Sequence, residues 1–343
     1  MRSVTTSVRV AAGAVLATAL TGSLASGAAQ AAPPEPTPAL AGLKVLITND
    51  DSAQGRDTSF GTDGKGLYEL RKALCAAGAD VLVVAPWLQQ SGAGARMTPP
   101  GFSPIPLTVQ AVTPPAAYAA DCATTSTGGA VFGVCQSAGP CSSSTPSASP
   151  ADAVNVALSR FAANYWAGGP DVVLSGINFG QNVGSTLNHS GTVGAAVTAH
   201  EYAVPALAFS AEVPRSLAQI PFVPFAQTAA FATELLTKLV RRDRLVSDLV
   251  LNVNYPFVGA GETLGEPVDT VAGTSNDIGL TFLDDVPRTG GTYRLVAGTP
   301  EAETRRGADT TALARNDIPV TRLDGDWTMP THGGLLTSLL RMF

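Results

Sequence analysis

Leu43-Lys44-Val45-Leu46-Ile47-Thr48-Asn49-Asp50-Asp51 is a run of buried-strand residues that stops on an amide and two adjacent carboxylates. In an open α/β sheet, ligands bind in the crevice outside the carboxyl ends of the strands. The run therefore predicts both a parallel sheet and the place on it where chemistry occurs. No Lys or Arg adjoins Asp50 or Asp51. Two neighbouring carboxylates repel one another unless a cation lies between them. A hard-metal site at the mouth of an α/β sheet is the first expectation.

Outward from that run, the pattern alternates. Residues 64–77 carry apolar side chains at helical spacing, and 80–85 (Asp-Val-Leu-Val-Val-Ala) read as a second fully buried strand stopped by Pro86. A helix from Pro150 to about residue 164, a strand over 171–175, a helix over 192–202 and a strand over 205–209 follow. A long helix over 222–242 and a strand over 248–253 complete the series. Continuous Val, Leu and Ile runs separated by helices mean a mostly parallel sheet covered on both faces. The expected fold class is α/β, a Rossmann-like three-layer sandwich. Residues 99–149, rich in Pro, Gly, Ser and Thr, break the rhythm and predict an inserted hairpin or lid. Beyond Pro256 the pattern loosens into an extended C-terminal part. Strands over 292–297 and 318–323 suggest a small β subdomain there.

The domain boundaries expected are a signal peptide over 1–31, a Pro-rich linker over 32–42, a core over 43–255 and a C-terminal extension over 256–343. Arg2 and Arg9, the apolar stretch 11–20 and Ala29-Gln30-Ala31 make the three parts of a secretory signal. The apolar run is too short to span a bilayer stably, so the expected product is secreted and not membrane-embedded. Losing Arg2 and Arg9 moves the formal net charge from −6 to −8. An acidic chain with scattered cations has no electrostatic footprint for duplex nucleic acid. Export permits disulfides. Cys122, Cys135 and Cys141 cluster in the loop-rich segment, and one disulfide among them is expected, with Cys75 a buried small hydrophobe in its helix.

Four segments supply polar groups to one rim of such a sheet. Asn49, Asp50 and Asp51 follow the first strand, and Ser91-Gly92 follows the second. Asn178, Gly180 and Asn182 follow the strand over 171–175, and Ser190-Gly191-Thr192 opens a helix. Carboxylates from Asp50 and Asp51, a hydroxyl from Ser91 and an amide oxygen from Asn178 form an all-oxygen set. That set suits Mg²⁺ or Mn²⁺, with Ca²⁺ also compatible, and argues against zinc or copper. Ser190, Gly191 and Thr192 fit two readings, a plain helix N-cap or an anion cradle of small residues and free amides.

These residues together resemble the SurE survival-protein phosphatases, divalent-metal-dependent 5′/3′-nucleotidases. The matching strings are Ile47-Thr48-Asn49-Asp50-Asp51, Gln90-Ser91-Gly92, Pro150-Ala151-Asp152 and Ser175-Gly176-Ile177-Asn178-Phe179-Gly180-Gln181-Asn182. Ser190-Gly191-Thr192-Val193, Leu251-Asn252-Val253-Asn254-Tyr255-Pro256 and Asp309-Thr310-Thr311-Ala312 continue them in family order. The resemblance implies that Asp50, Asp51, Ser91 and Asn178 hold the metal. It implies that Asn49, Asn182, Ser190, Gly191 and Thr192 contact the substrate phosphate, and that the chain assembles as a homodimer or higher homo-oligomer. Ser52 stands where the family usually has Gly, and the loop after it is long.

The expected activity is hydrolysis of nucleoside 5′- or 3′-monophosphates by water attack on phosphorus, with Asp50 and Asp51 as the catalytic carboxylates. A broad-specificity acid phosphatase, or a secreted nucleotide- or phosphate-binding protein without turnover, is the alternative on the same fold.

Overall fold

The structure is a computed structural model that describes residues 37–55, 62, 64–325 and 341. The expected signal peptide, residues 32–36 of the Pro-rich linker and most of the last stretch of the tail lie outside the described residues. In chain order the strands and helices are β1 (Lys44–Thr48), α1 (Lys65–Ala76), β2 (Asp80–Pro86), β3 (Thr108–Ala111), β4 (Val131–Cys135), α2 (Pro150–Val156), β5 (Val172–Phe179) and α3 (Gly191–Glu201). They continue as β6 (Ala206–Ala211), α4 (Phe225–Arg241), β7 (Val250–Tyr255), β8 (Pro267–Thr270), β9 (Leu280–Phe282), β10 (Leu295–Ala297), α5 (Asp309–Leu313) and β11 (Ile318–Leu323).

Nine strands form one sheet in the order β3-β4-β2-β1-β5-β6-β7-β11-β8. From β4 to β7 every neighbouring pair is parallel. The chain leaves β1 toward β2 on one side and returns as β5 on the other. The strand order therefore reverses between β1 and β5, and a crevice opens there at the carboxyl ends. Asp50 and Asp51 follow one of these strands and Asn178 lies at the end of the other.

Successive residues of a strand point to opposite faces, and β1 shows the division plainly. Val45 and Ile47 join one apolar cluster with Leu67, Leu70 and Leu74 of α1 and Phe225, Ala232 and Leu236 of α4. Leu46 joins the other, with Val154 of α2 and Val193, Ala195 and Ala199 of α3. Two helices on each face make the three layers. Apolar spacing on α1 and α4 is what an amphipathic helix needs to cover one side of a sheet.

One expectation gains detail and two change. The inserted hairpin expected over 99–149 is present as the antiparallel β3–β4 pair, and because β4 also runs parallel to β2 the insert extends the main sheet. Its loop is fastened to α1 by Arg71, whose buried guanidinium donates to the carbonyls of Tyr118, Asp121, Gly128 and Gly129. Cys75 is bonded to Cys122 at a Cα separation of 5.0 Å, and Cys135 to Cys141. The expectation of an unpaired Cys75 fails because sequence spacing does not reveal that the loop between β3 and β4 brings Cys122 back to α1. The C-terminal part is not a separate β subdomain either. β11 pairs antiparallel with β7 and parallel with β8, so both belong to the main sheet, while β9 and β10 form an isolated two-stranded ribbon. Among the described residues no helix is long and apolar enough to cross a membrane.

Candidate functional site

Asp50 and Asp51 are buried just beyond the end of β1, 3% and 2% exposed. Burial of a carboxylate disfavours its charged form, and desolvation holds Asp50 above its ordinary range despite the groups that oppose it. The opposing groups come from the start of α3. The Thr192 hydroxyl donates to Asp50 Oδ1 at 2.8 Å, and the Gly191 and Thr192 amides face the same carboxylate. Helix N-termini favour negative charge for this reason. Gly191 is required by the approach itself: a Cβ there would lie 2.7 Å from Asp50 Cβ and 2.9 Å from its Oδ2.

Asp51 is held from the other side. Its Oδ2 accepts from the Asn49 amide at 3.1 Å and from the Phe179 N–H at 3.3 Å. Asn49 also donates to the Ile177 carbonyl, and its Oδ1 accepts from Thr192 at 3.1 Å. Asn49 is fully buried. Its amide thus ties Asp51 to β5 and meets Thr192 at the start of α3. Sequence order places it beside the two carboxylates but cannot tell which way its amide turns.

Asn178 follows an irregularity in the β5–β6 ladder between Ser175 and Asn178. Such bulges re-aim a side chain beside a site. Its Nδ2 donates to the Gly180 carbonyl at 2.7 Å, which orients the amide. Its Oδ1 is buried and accepts no hydrogen bond from the described residues. A buried amide oxygen without a donor is costly, and a hard cation satisfies it. Ser91 lies exposed on the loop after β2, tied to the site because Gln90 N–H donates to the Asp50 carbonyl at 2.7 Å. That loop is held against the α3 start by Gly94 N–H donating to the His189 carbonyl. Among the described residues no three His, Cys, Asp or Glu side chains gather as a metal cluster. Two carboxylates, an amide oxygen and a hydroxyl fit Mg²⁺ or Mn²⁺, which keep several waters and need few protein ligands.

The 190–192 turn is an N-cap in this structure. Ser190 Oγ accepts from Val193 N–H at 3.1 Å, and Thr192 serves Asp50 and Asn49. Asn182 sits deeper in the rim, where Asn254 and Ser210 lock it. Its N–H donates to Asn254 Oδ1, its Nδ2 to Ser210 Oγ, and its carbonyl accepts from Asn252 and Asn254. Asp309 accepts from the Gly184, Gly273 and Thr310 amides, joining the loop after Asn182 to the C-terminal part. The positioning roles of Ser210 and Asp309 were not foreseen. A buried strand with Asn at alternate positions, Asn252 and Asn254, was the available signal. Ser52 keeps the loop after β1 in place, donating to the Trp87 carbonyl and accepting from Gln54 N–H. It is not among the positive-φ residues, so a side chain is tolerated there.

The family model described as survival protein SurE matches residues 45–276. The chain belongs to the SurE family. A 5′-nucleotidase SurE from Desulfovibrio desulfuricans is 32% identical over 297 residues, 85% of this chain and 96% of that protein. A second from Geobacter metallireducens is 30% identical over 286 residues, 83% and 93% respectively. The crystal structure of the SurE protein from Aquifex aeolicus aligns with a TM-score of 0.60 at 24% identity, covering 87% of this chain and 98% of that one. That likeness confirms the SurE fold, in which the reversal between β1 and β5 sets the crevice.

Proposed function

We propose that this SurE chain is an exported, divalent-metal-dependent phosphomonoesterase that hydrolyses nucleoside 5′- and 3′-monophosphates. Membership of a family whose relatives carry the name 5′-nucleotidase makes it a nucleotidase-type phosphatase. The observation that carries the reading is the pairing of two buried, adjacent carboxylates with the undonated Asn178 oxygen at the strand-order reversal.

Asp50, Asp51, Asn178 and Ser91 would hold Mg²⁺ or Mn²⁺. Such an ion supplies Lewis acidity toward a phosphoryl oxygen and lowers the pKa of water. The protein contributes position. Thr192 and Asn49 fix the two carboxylates by named oxygens, so neither reorients as charge develops. Ser190 and the locked Asn182 flank the ester, and the 190–192 turn brings the positive end of α3 to the developing charge. Asp50 and Asp51 orient the attacking water, and no covalent phospho-enzyme is required.

Export and self-association belong to the same reading. The signal-like N-terminus and two disulfides support an oxidising compartment. Leu280, Phe282 and Leu295 on the β9–β10 ribbon are each more than half exposed, an apolar face that a second copy would cover. Light scattering that finds only monomer across the working concentration range removes the oligomer. The functional test is phosphate release from nucleotides and from p-nitrophenyl phosphate, with chelator and with Mg²⁺ or Mn²⁺ restored. Metal-dependent release supports the enzyme; nucleotide binding with no release under either condition establishes a binding protein instead.

A further inference from the structure

A cavity of about 370 Å³ lies on the same rim, lined by Gln181, Glu212, Arg215, Gln219, Phe257 and Asp277 among others. Gln181 precedes Asn182 directly, so the cavity adjoins the phosphate end of the crevice. β6 gives the direction. Ala206 and Ala208 pack beneath α3, and Ser210, on the same face by alternation, accepts from Asn182. Glu212 is next on that face, its N–H still paired to the Tyr255 carbonyl. Two residues at roughly 3.3 Å each place it about 7 Å beyond Ser210, the span of a ribose.

We propose that this cavity receives the base of the nucleotide and that Glu212 reads the Watson–Crick edge of guanine. The inference rests on the nucleotidase reading of the adjoining crevice. Glu212 Oε2 accepts from Phe257 N–H at 2.8 Å, while Oε1 makes no hydrogen bond to the described residues. A carboxylate accepts two donors side by side, and among the common bases only guanine offers them, N1–H and the exocyclic N2. Arg215 supplies a donor for O6, and Phe257 an aromatic wall. Flipped or single-stranded bases are read elsewhere by the same two means. Burial, with Asp277 and Glu262 adding to it and Arg215 opposing, pushes Glu212 up to about 7. Below that pH the carboxyl carries a proton and becomes a donor–acceptor pair, which matches adenine N1 and N6 instead.

The test is kcat/KM for GMP, AMP and p-nitrophenyl phosphate at pH 5.5 and pH 8, in Mg²⁺ or Mn²⁺, for wild type, Glu212→Gln and Glu212→Ala. Wild type should favour GMP over AMP by about tenfold at pH 8, and the preference should shrink at pH 5.5. Gln pairs with adenine, so Glu212→Gln should reverse the ratio toward AMP at both pH values. Glu212→Ala should bring both purines toward each other relative to the small ester. A GMP/AMP ratio that is the same in all three proteins and at both pH values overturns the subsite while leaving the phosphatase reading intact. Wild type that releases phosphate from none of the three substrates overturns both.

Discussion

Replacing Gly191 with Ala tests the geometry of the site through the sign of a stability change. Helix propensity alone predicts that Gly→Ala near the start of α3 stabilises the protein by at most about 1 kcal/mol. The structure predicts the opposite. The added methyl would lie 2.7 Å from Asp50 Cβ and 3.0 Å from Pro150 Cγ, where carbon atoms rest at about 3.5–4.0 Å. Relief requires Asp50 and α3 to separate by about 1 Å. Overpacking of this kind costs roughly 1–3 kcal/mol, so a net loss of about 1–2 kcal/mol is expected. A 1 Å misplacement of a catalytic group costs on the order of 100-fold in rate. Urea unfolding gives the first number and steady-state phosphate release in saturating Mg²⁺ the second. A variant as stable as wild type or more so, with full turnover, would refute the contact between the α3 start and Asp50.

Three further outcomes follow from single observations. Glu212 is held at about 7 against an ordinary 4.5. The folded chain therefore keeps a proton that the unfolded chain releases between these values, and stability falls as pH rises from about 4.5 to 7, then levels. At about 1.4 kcal/mol per pH unit the full loss is about 3–4 kcal/mol, and Glu212→Gln should remove that slope in unfolding measured from pH 4.5 to 8.5; an unchanged slope counts against the burial. Thr192→Val deletes the donor to Asp50 and Asn49 and should cost about 1–3 kcal/mol, with lower turnover, read by the same two assays. Cys75–Cys122 closes a separation of 47 residues and Cys135–Cys141 one of 6. Loop-closure entropy gives about 4 and about 2 kcal/mol, so the Cys75→Ser, Cys122→Ser double variant should lower the urea midpoint further than the Cys135→Ser, Cys141→Ser pair.

Strand and helix types in the core were legible because local patterns determine them. Continuous apolar runs in β1, β2 and the first part of β5, stopped by Asn49, Pro86 and Ser175, leave little choice but buried parallel strands; the extension of β5 to Phe179 through Ser175-Gly176 was not legible. Helix spacing around Leu67, Leu70 and Leu74 is equally local. The polar residues at the ends of those strands were legible as a group, since one rim collects the carboxyl ends of every parallel strand. Pairing across sequence distance was not. Nothing near Cys75 says that Cys122 returns to it, and nothing in Ile318–Leu323 says that it runs antiparallel beside β7. Individual duties within the site were also hidden. Asn49 and Thr192 turn inward to hold carboxylates because their side chains find partners on β5 and just beyond β1, contacts that exist only after the sheet forms. Glu212 carries no motif at all; its position two residues beyond Ser210 gives it meaning.

The proposed chemistry needs one hard cation held by Asp50, Asp51, Asn178 and Ser91. The most direct measurement is Mn²⁺ binding by calorimetry to wild type, Asp50→Asn and Asn178→Ala, paired with phosphate release in the same buffers. One Mn²⁺ per wild-type chain is expected, with weakened or abolished binding in both variants and turnover lost in parallel. Wild type that binds no Mn²⁺ or Mg²⁺, or that hydrolyses nucleotides undiminished in chelator, would contradict that chemistry.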